Sequence, residues 1–386
     1  MAGRKFEKYE KITESASDWT IKKSKLNGVQ WVVTEKVHGA NMCLHCSPAG
    51  VAFCKRTGFL EPGDPFFGYR SFLPAKCEAK ALHLYQALLA EQPTITTVWI
   101  FGELFGGGYP HPDVPQSAIP VQLVQSGIYY SPELEFYSYD IGIQTVEHPQ
   151  REYLPYTKCI DLFRANGFLY AEPLLIGTYD QALAFPVGFD SHVPARLGLP
   201  TLPPGTNKAE GIVIKPVTAL WMEDAKGERR RVILKKKIPQ FAEKQYDDNG
   251  YVPPAVTPPA GKDAAALRGE IQALQYELGA RVTRQRLINV LSKEGHIADI
   301  FARGEALRLL NLFCDDARAD LLEDPAMAAM WGRVGPEGQA ACEAGLREQT
   351  KAAMDAYYAP LLKGRRKPAQ AQAQAQQEQP PEPGDA

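Results

Sequence analysis

A proline-rich segment divides the sequence into two parts with different residue patterns. Residues 251–261 read Tyr251-Val-Pro-Pro-Ala-Val-Thr-Pro-Pro-Ala-Gly261, and they predict a semi-extended connector because proline fixes its φ torsion and has no backbone N–H. In residues 1–250, short β-branched and aromatic runs alternate with Gly and Pro, which is typical of a sheet-rich α+β domain. In residues 262–363, Ala, Leu, Glu and Arg dominate and apolar residues recur three and four positions apart, which predicts a small all-α domain.

Composition limits the class of protein. The chain has 386 residues, of which 45% are apolar and 23% charged, as is typical of a soluble protein with two domains. Its net charge of -2 excludes an overall basic character, so a nucleic-acid surface would have to be a local basic patch. Residues 364–386 join an Arg-Arg-Lys cluster to Ala-Gln and Pro-Glu repeats, and they predict a disordered tail because they cannot bury a core.

The cysteines and the amino-terminal residues indicate the environment of the protein. Seven cysteines, an odd number scattered among apolar residues, fit reduced thiols better than a disulfide framework. The start MAGRKFEKYE has no apolar signal core, and no uninterrupted apolar run approaches membrane-spanning length. We therefore expect an intracellular, soluble protein with no membrane partner, in a compartment that the sequence leaves open.

Short periodic runs predict the secondary structure. Residues 74–91 predict an amphipathic helix, and the residues Ser-Pro-Ala-Gly at 47–50 predict a hairpin turn. The apolar face of the helix is expected to contain Leu82, Tyr85, Leu88 and Leu89, and in the second domain Ile300, Phe301, Leu307, Leu310 and Phe313 show the same spacing. Strands are predicted at residues 31–34, 41–46, 51–56, 98–101, 134–141, 210–215 and 231–234.

Lys36 is the most informative polar residue of the first domain. It follows the apolar run 31–34 in the segment Glu35-Lys36-Val37-His38-Gly39-Ala40-Asn41. A lysine attacks phosphorus only as the neutral amine, which desolvation or neighbouring cations favour. Lys235 and Lys237, which would share one face of a strand, could supply such cations and also bind phosphate oxygens. The alternative is a solvated lysine in a turn, which is the commoner role of a surface lysine.

Three further segments place charged residues where strands begin or end. Arg56, in Cys54-Lys55-Arg56-Thr57-Gly58, has the planar fork that suits a phosphate or a 3′-terminal ribose phosphate. Glu103 follows an apolar strand and is flanked by glycines, so it could bind ribose hydroxyls or help to hold a metal. Glu210 opens a strand and is a suitable ligand for a hard divalent cation such as Mg²⁺. The alternatives are a hairpin with exposed basic residues at Arg56, and a flexible loop at the three glycines 106–108.

The segment Glu135-Phe136-Tyr137-Ser138-Tyr139-Asp140-Ile141 carries aromatic residues along a predicted strand. Phe136 and Ser138 would face one side of the strand, and Tyr137 and Tyr139 the other. One of these rings could stack on adenine. Core packing is the alternative for most of them.

A zinc site is a competing interpretation of Cys43, His45 and Cys46. In a strand the two cysteines would face opposite sides, and the sequence has no second Cys-x-x-Cys pair to complete four ligands. Asn41, Cys43 and His45 would share a face, which makes Asn41 the better candidate for a functional residue.

In order and spacing, these segments resemble the signature of the covalent nucleotidyltransferases, and most closely that of the RNA ligase 2 family with its phage and trypanosome RNA-editing members. The resemblance runs from Phe6-Glu-Lys-Tyr9 to Glu243-Lys244, and the stretches Phe101-Gly-Glu-Leu-Phe-Gly-Gly107 and Gly127-Ile-Tyr-Tyr-Ser-Pro132 are particularly similar. His38 stands where DNA ligases and capping enzymes usually have Asp, and this matches the RNA ligase 2 group. The resemblance implies an antiparallel-sheet-rich, ATP-grasp-like ligase domain, followed by a helical appendage instead of the OB domain of DNA ligases.

The resemblance also implies a role for each matched residue. Lys36 would be the adenylylated nucleophile, and His38, Lys235 and Lys237 would complete the catalytic set. The implied nucleotide contacts are Glu35 on the adenine side, Asn41 and Arg56 at the nucleotide phosphate or the RNA end, Glu103 at the ribose, Tyr139 stacked on adenine where the family usually has Phe, and Lys235 and Lys237 at the phosphates. Glu210, together with Glu103, would hold Mg²⁺ or Mn²⁺.

The implied reaction consists of three phosphoryl transfers with ATP as co-substrate. Lys36 takes AMP from ATP and releases pyrophosphate, AMP moves to a 5′-phosphate RNA end, and a 3′-hydroxyl then seals the strand. The expected partner is nicked duplex RNA, and the expected form is a monomer. The alternatives are a DNA or mixed-substrate ligase, and an inactive ligase fold that serves as an RNA-binding adaptor.

Overall fold

The computed structural model describes residues 6–13, 26, 28–125, 127–223, 229–241, 264–294, 300 and 304–363. The predicted connector 251–261 and the predicted tail 364–386 lie outside these residues. The chain divides into two compact units, one formed by residues 1–242 with 291–303 and the other by residues 243–290 with 304–386. We call them the sheet unit and the helical unit.

The secondary structure of the described residues consists of thirteen strands, nine α-helices and three short turns of other helix types. The strands are β1 (Trp31–Lys36), β2 (Ala40–Ser47), β3 (Gly50–Lys55), β4 (Gly58–Phe59), β5 (Ile95–Gly108), β6 (Ser131–Thr145), β7 (Glu152–Tyr153), β8 (Leu169–Tyr170), β9 (Pro173–Gly177), β10 (Gly211–Pro216), β11 (Trp221–Glu223), β12 (Arg229–Arg231) and β13 (Leu234–Lys237). The α-helices are α1 (Ala79–Glu91), α2 (Tyr156–Ala165), α3 (Tyr179–Leu183), α4 (Val193–Arg196), α5 (Ala264–Ala280), α6 (Arg284–Glu294), α7 (Ala306–Leu321), α8 (Pro325–Arg333) and α9 (Gly335–Lys363). The short turns are Phe66–Ser71, Pro74–Glu78 and Pro239–Phe241.

A seven-stranded sheet forms the larger part of the sheet unit. Its order is β4-β3-β2-β5-β6-β7, with β8 added in parallel to β6 and the other pairs antiparallel. Met42 of β2 and Ile100 of β5 face an apolar core that also contains residues of α1 and α2. Cys43 and Phe101, their neighbours along the two strands, face the opposite side, as the alternation of strand side chains requires.

A four-stranded antiparallel sheet of order β13-β10-β1-β9 forms the other part of the sheet unit. Trp31 and Val33 of β1 pack with Ile212 and Ile214 of β10 on one face of this sheet. The second face meets the second face of the large sheet, where Val213 packs into the cluster around Phe101. Strands β11 and β12 form a separate two-stranded antiparallel sheet. The two larger sheets share an interior, and polar residues at their strand ends lie near one another and line one cleft.

The glycine-rich end of β5 is a strand and not the flexible loop that the sequence leaves open. β5 continues through Gly106, whose φ is +106°. A Cβ at this position would lie 2.0 Å from the backbone oxygen of Glu133, so the close approach of β6 requires glycine. The predicted strand 231–234 is wrong in its bounds, because β12 ends at Arg231 and β13 begins at Leu234.

A β-bulge in β6 changes the direction of Asp140. Asp140 pairs with Phe101 and Ser138 pairs with Gly102, so Tyr139 is the extra residue. The predicted alternation holds for the aromatic residues, since Phe136 packs in the core with α1 and α2 whereas Tyr137 and Tyr139 pack on the other face, and it ends at Asp140. Because of the bulge, Tyr139 and Asp140 both face the interior that the two sheets share.

The predicted helix 74–91 is present, and its buried face differs from the predicted one at Leu82. Its first turn is π-helical, and the α-helix begins at Ala79. Tyr85 and Leu88 are buried, whereas Leu82 is exposed and Leu84 is buried in its place.

The helical unit is built on α5, which packs against α7, α8 and α9. Leu309 and Phe313 bury one face of α7, whereas Leu307, expected on that face, is exposed, and Phe301 lies outside the described residues. Within the described part of the chain, no helix combines the length and apolar character needed to cross a membrane. Helices that follow a unit of antiparallel sheets confirm the predicted α+β fold class.

Candidate active site

The carboxyl end of β1 places Lys36 against a buried carboxylate. Lys36 is the last residue of β1, not the first residue after it, and it pairs with Gly211 of β10. Its Nζ lies 2.8 Å from Oε2 of Glu210, the residue that precedes β10. The side chain of Lys36 is 19% exposed and that of Glu210 is 1% exposed, so the amine is the part of this pair that a substrate can reach.

Strand β13 brings a second cation to the same carboxylate. Gly211 pairs with Lys237, and Nζ of Lys237 lies 3.3 Å from Oε1 of Glu210. A Cβ on Gly211 would lie 1.9 Å from the backbone oxygen of Lys236, so glycine is what allows β13 to come this close. Lys235 shares the face of Lys237 by strand alternation, and Lys236 points to the other face, where its amine donates to a backbone oxygen.

The charges around Glu210 fix its protonation state. Burial acts to raise the pKa of its carboxyl, but Lys36, Lys237 and His38 outweigh burial and hold the pKa well below its ordinary value. Nδ1 of His38 lies 3.6 Å from Oε2 of Glu210. Glu210 is therefore a buried anion whose charge is matched by the residues that surround it.

Tyr130 holds the turn that follows Lys36. Its hydroxyl accepts a hydrogen bond of 2.9 Å from the backbone N–H of His38, and its side chain is fully buried. Burial, followed by the nearby carboxyl of Glu35, raises the pKa of Tyr130 well above its ordinary value, so the phenol stays neutral. Tyr130 is absent from the predicted site residues, and its one sequence signal is its place in the segment 127–132.

The large sheet contributes the opposite wall of the cleft. Asn41 of β2 and Glu103 of β5 are cross-strand partners, so their side chains share a face. Nδ2 of Asn41 donates to the hydroxyl oxygen of Tyr139 at 2.6 Å. Arg56 forms no hydrogen bond or ion pair within the described part of the chain, and it lies close enough to Glu103 to act on the pKa of that carboxyl. The wall therefore presents a guanidinium, an amide, a phenol and a carboxyl.

Glu103 is a carboxyl that titrates near neutral pH. Burial raises its pKa to about 7, against the effect of Lys36 and with a contribution from Glu210. A group whose pKa is moved this far by burial and by named charges is more often part of a functional site than of the surface.

Two tyrosines of β6 line the interior at different positions. Tyr139 lies beside Asn41 and near Glu103, whereas Tyr137 lies near Glu35 and packs with Val37. Either ring could meet a base bound in the cleft, so the choice of Tyr139 as the stacking residue stays a prediction.

Glu35 points away from Lys36, because adjacent residues of a strand face opposite sides. Its carboxylate accepts hydrogen bonds from Oγ of Ser191 at 2.5 Å and from the backbone N–H of His192 at 2.9 Å. The side chain is 4% exposed, and burial raises the pKa of its carboxyl. Glu35 therefore fastens residues 191–192 to β1, and its contact with a nucleotide stays a prediction.

A buried ion network joins the two sheets behind the cleft. Asp140 of β6 accepts hydrogen bonds from Nη1 of Arg231 at 2.8 Å and from the hydroxyl of Tyr9 at 2.7 Å. Nζ of Lys215 lies 3.1 Å from its other carboxylate oxygen. Although burial acts to raise the pKa of Asp140, Arg231 and Lys215 hold it at about 2. None of these four residues is among the predicted site residues.

The carboxylates that could hold a divalent cation are Glu210 and Glu103. The described residues contain no group of three or more His, Cys, Asp or Glu side chains placed to bind a metal ion. Two carboxylates nevertheless fit Mg²⁺, because this ion keeps several waters and takes substrate phosphates as further ligands. Cys43 and Cys46 belong to different apolar clusters on opposite faces of the large sheet, which argues against a shared zinc ion.

Comparison with known proteins shows which family the chain resembles. A family model described as RNA ligase matches residues 29–237. The mitochondrial RNA-editing ligase 2 of Trypanosoma brucei brucei is 31% identical over 358 residues, which cover 83% of this chain and 84% of that protein. The mitochondrial RNA-editing ligase 1 of the same organism is 29% identical over 346 residues, which cover 79% and 72% of the two chains.

Solved structures are more distant. An RNA ligase variant from Naegleria gruberi, determined with AMP and manganese, aligns at 15% identity with a TM-score of 0.37, over 60% of this chain and 56% of that chain. The family assignment rests on the sequence matches, since one relative at 31% identity aligns over most of both chains and the family model covers more than half of this one. The chain therefore belongs to the RNA ligase family and is an enzyme.

Proposed function

We propose that the chain is an ATP-dependent RNA ligase that joins a 3′-hydroxyl to a 5′-phosphate, at nicks in duplex RNA, through AMP carried on Lys36. The observation that supports this most is the shared carboxylate. Lys36, Lys237 and His38 surround Glu210, and Lys36 is the partly exposed member at 2.8 Å. A substrate anion that enters the cleft therefore meets the amine with phosphate-binding charges beside it.

In the first step the amine of Lys36 attacks the α-phosphorus of ATP. The N–P bond forms, the bond from that phosphorus to the bridging oxygen breaks, and pyrophosphate leaves with the electron pair. The lysine ammonium must first give up a proton to water, because only the neutral amine is a nucleophile, and the attacking nitrogen loses a second proton to water as the N–P bond forms. The ion pair with Glu210 is thus the resting form, and bound ATP has to separate the two groups before attack.

In the second step a 5′-phosphate oxygen of RNA attacks the phosphorus of the lysyl adenylate. The P–N bond breaks and Lys36 recovers its amine. In the third step the 3′-hydroxyl attacks the activated 5′-phosphorus, and AMP leaves. All three are in-line displacements, so the protein contributes position and charge more than covalent chemistry.

The residues of the two walls divide this work. Lys235 and Lys237 are proposed to bind the phosphates, and Asn41 and Arg56 to bind the nucleotide phosphate or the RNA end. The remaining proposed contacts are Glu35 on the adenine side, Glu103 at the ribose and Tyr139 against the base. Mg²⁺ or Mn²⁺, held by Glu210 and Glu103, would neutralise triphosphate charge when bound.

The trypanosome relatives carry RNA-editing ligase in their names, and this supports RNA as the substrate. Parallel reactions on nicked RNA duplex, nicked DNA duplex and single-stranded RNA test this point. We expect the nick in RNA duplex to be sealed fastest. Faster sealing of nicked DNA would replace the proposal with a DNA or mixed-substrate ligase.

Covalent labelling tests the nucleophile. The full chain is incubated with ATP labelled at the α-phosphate and with Mg²⁺ or Mn²⁺, and the protein-bound label is measured after denaturation. We expect label on the wild type and on Lys158→Ala, whose lysine lies on α2, is 39% exposed and pairs with Glu91, but none on Lys36→Ala. Equal labelling of Lys36→Ala would reject Lys36 as the carrier, and an unlabelled wild type would favour an RNA-binding adaptor.

A further inference from the structure

Residues 6–13 precede the first strand of both sheets and lie across the interior that the sheets share. The ring of Phe6 packs edge-on against Phe59 of β4 at 5.8 Å and against Trp99 of β5 at 6.0 Å between centroids. These contacts place the start of the segment on the large sheet.

Tyr9 lies at the centre of the segment and is buried. Its ring centroid is 4.9 Å from that of Phe101 and 5.3 Å from that of Tyr139. Its hydroxyl donates to Asp140, the anion that also binds Arg231 of β12. Tyr9 therefore touches the same phenol that binds Asn41 in the cleft, and the network that joins the two sheets.

Arg151 fixes the backbone of the segment to the large sheet. Its guanidinium donates to the backbone oxygens of Glu7 at 3.0 Å and Lys8 at 2.6 Å, and to the carboxylate of Glu10 at 2.9 Å. The guanidinium also lies 4.9 Å from the ring centroid of Phe101. A buried guanidinium with several acceptors in a fixed geometry orders the residues that it binds.

The end of the segment pairs with the small sheet. Thr13 donates its backbone N–H to the oxygen of Ile233 at 3.1 Å, and its own oxygen accepts the N–H of Lys235 at 2.8 Å. Thr13 and Leu234 thus form a parallel bridge on the edge of β13 that β10 does not occupy. β13 has four residues, and such a short edge strand gains much of its order from what covers its open side.

We propose that residues 6–13 are a strap that holds the two walls of the cleft in register, with Thr13 as a positioning residue for Lys235 and Lys237. The segment touches the large sheet at Trp99, Phe101 and Asp140, and it reaches the strand that carries both lysines. The inference rests on the proposed function, since there these lysines bind phosphate. Loss of the Thr13 bridge frees one side of β13 and lets the amine of Lys237 move relative to Lys36.

The test compares Thr13→Pro with Thr13→Ala in the full chain. Proline removes the N–H that Ile233 accepts, whereas alanine keeps both backbone groups. Thr13→Gly, which keeps both groups but costs more to order, serves as a milder second variant. Amide hydrogen exchange of residues 232–238 reports the strand, and the rate of Lys36 adenylylation reports the site.

We expect faster exchange in Thr13→Pro and smaller changes in Thr13→Gly and Thr13→Ala, which keep the backbone bridge but lose the 3.3 Å hydrogen bond from Oγ1 of Thr13 to the oxygen of Ile233. The adenylylation rate of Thr13→Pro should fall about tenfold, because a displacement of about 1 Å in a positioning group can cost on the order of a hundredfold. In a Lys237→Ala background Thr13→Pro should slow the reaction much less, while its effect on the melting temperature stays the same. If the two substitutions are non-additive in the adenylylation rate but additive in the melting temperature, Thr13 positions the lysines and does not only stabilise the fold.

Each outcome decides the inference. Equal exchange in Thr13→Pro and Thr13→Ala overturns the strap, and faster exchange with a wild-type rate overturns the positioning role. Full additivity with Lys237→Ala in the rate also overturns it. If the wild type is not labelled by ATP, the proposed function is rejected instead. The hydrogen-exchange data then still decide whether residues 6–13 hold β13.

Discussion

Glu103→Gln is expected to stabilise the protein while it impairs the reaction. The difference between its pKa of about 7 and the ordinary value of 4.5 corresponds to about 3 kcal/mol at about 1.36 kcal/mol per pH unit. The side chain is only partly buried, so solvent screening reduces the gain, and we expect about 1–2 kcal/mol. Because the folded pKa is raised, the charge costs nothing below pH 4.5, costs progressively more up to pH 7 and costs a constant amount above it.

The assay is urea unfolding followed by tryptophan fluorescence, since Trp31 and Trp99 lie in the cores of the sheet unit. Glu103→Gln should unfold at higher urea than the wild type at pH 8, and the two should converge towards pH 4.5. The same variant should carry less label from ATP, because a neutral amide cannot replace the carboxylate proposed to contact the ribose and metal. A variant that is less stable than the wild type at pH 8 would refute the idea that this carboxyl is kept charged at a cost.

Three further substitutions have expected results of different kinds. Asp140→Asn should lower the free energy of unfolding by about 3 kcal/mol at pH 7, because it leaves two buried cations without their anion. Since the pKa of Asp140 in the folded protein is depressed to about 2, the difference from the wild type in urea unfolding should shrink as the pH falls from 3.8 towards 2. A difference that stays constant over this range would contradict the charge argument. Tyr130→Phe should lower the free energy of unfolding by about 1–3 kcal/mol, because it leaves the buried N–H of His38 without an acceptor, and it should slow adenylylation. Stability and rate both equal to those of the wild type would show that this hydrogen bond contributes to neither. Gly106→Ala should cost at least about 2 kcal/mol because of its positive φ and its contact with β6, whereas Gly63→Ala, at a site with open space, should melt at the wild-type temperature.

The strands can be predicted from the sequence because each one is a short β-branched and aromatic run bounded by turn residues, which is a local pattern. Lys36 and Glu210 were both found at the ends of apolar runs, and the structure brings them within 2.8 Å although 174 positions separate them. Nothing in either segment states that they meet. The family resemblance assigned both residues to one site without predicting their contact, and the family model and the trypanosome relatives confirm the family.

The parts that the sequence does not predict are non-local or irregular. Tyr9 and Asp140 are 131 positions apart, and nothing in either segment indicates that their side chains meet. The bulge at Tyr139 inserts one residue into a regular alternation, so the direction of Asp140 could not follow from a period of two. Leu82 shows the same limit in a helix, because the predicted face was set by spacing while the actual face is set by the sheet that the helix packs on.

The cluster around Glu210 also implies a change of charge during the proposed cycle. In the resting protein Lys36 and Lys237 are the first two charges that keep Glu210 ionised, and His38 adds to them. Transfer of AMP to Lys36 turns its ammonium into a neutral phosphoramide, so Glu210 loses its nearest cation and gains a nearby phosphate. A buried carboxylate cannot stay ionised without compensation, and Lys237 and a divalent cation are the charges that can supply it. The adenylylated form should therefore bind a divalent cation more tightly than the resting form, and this affinity would fall again when AMP passes to RNA and Lys36 recovers its charge.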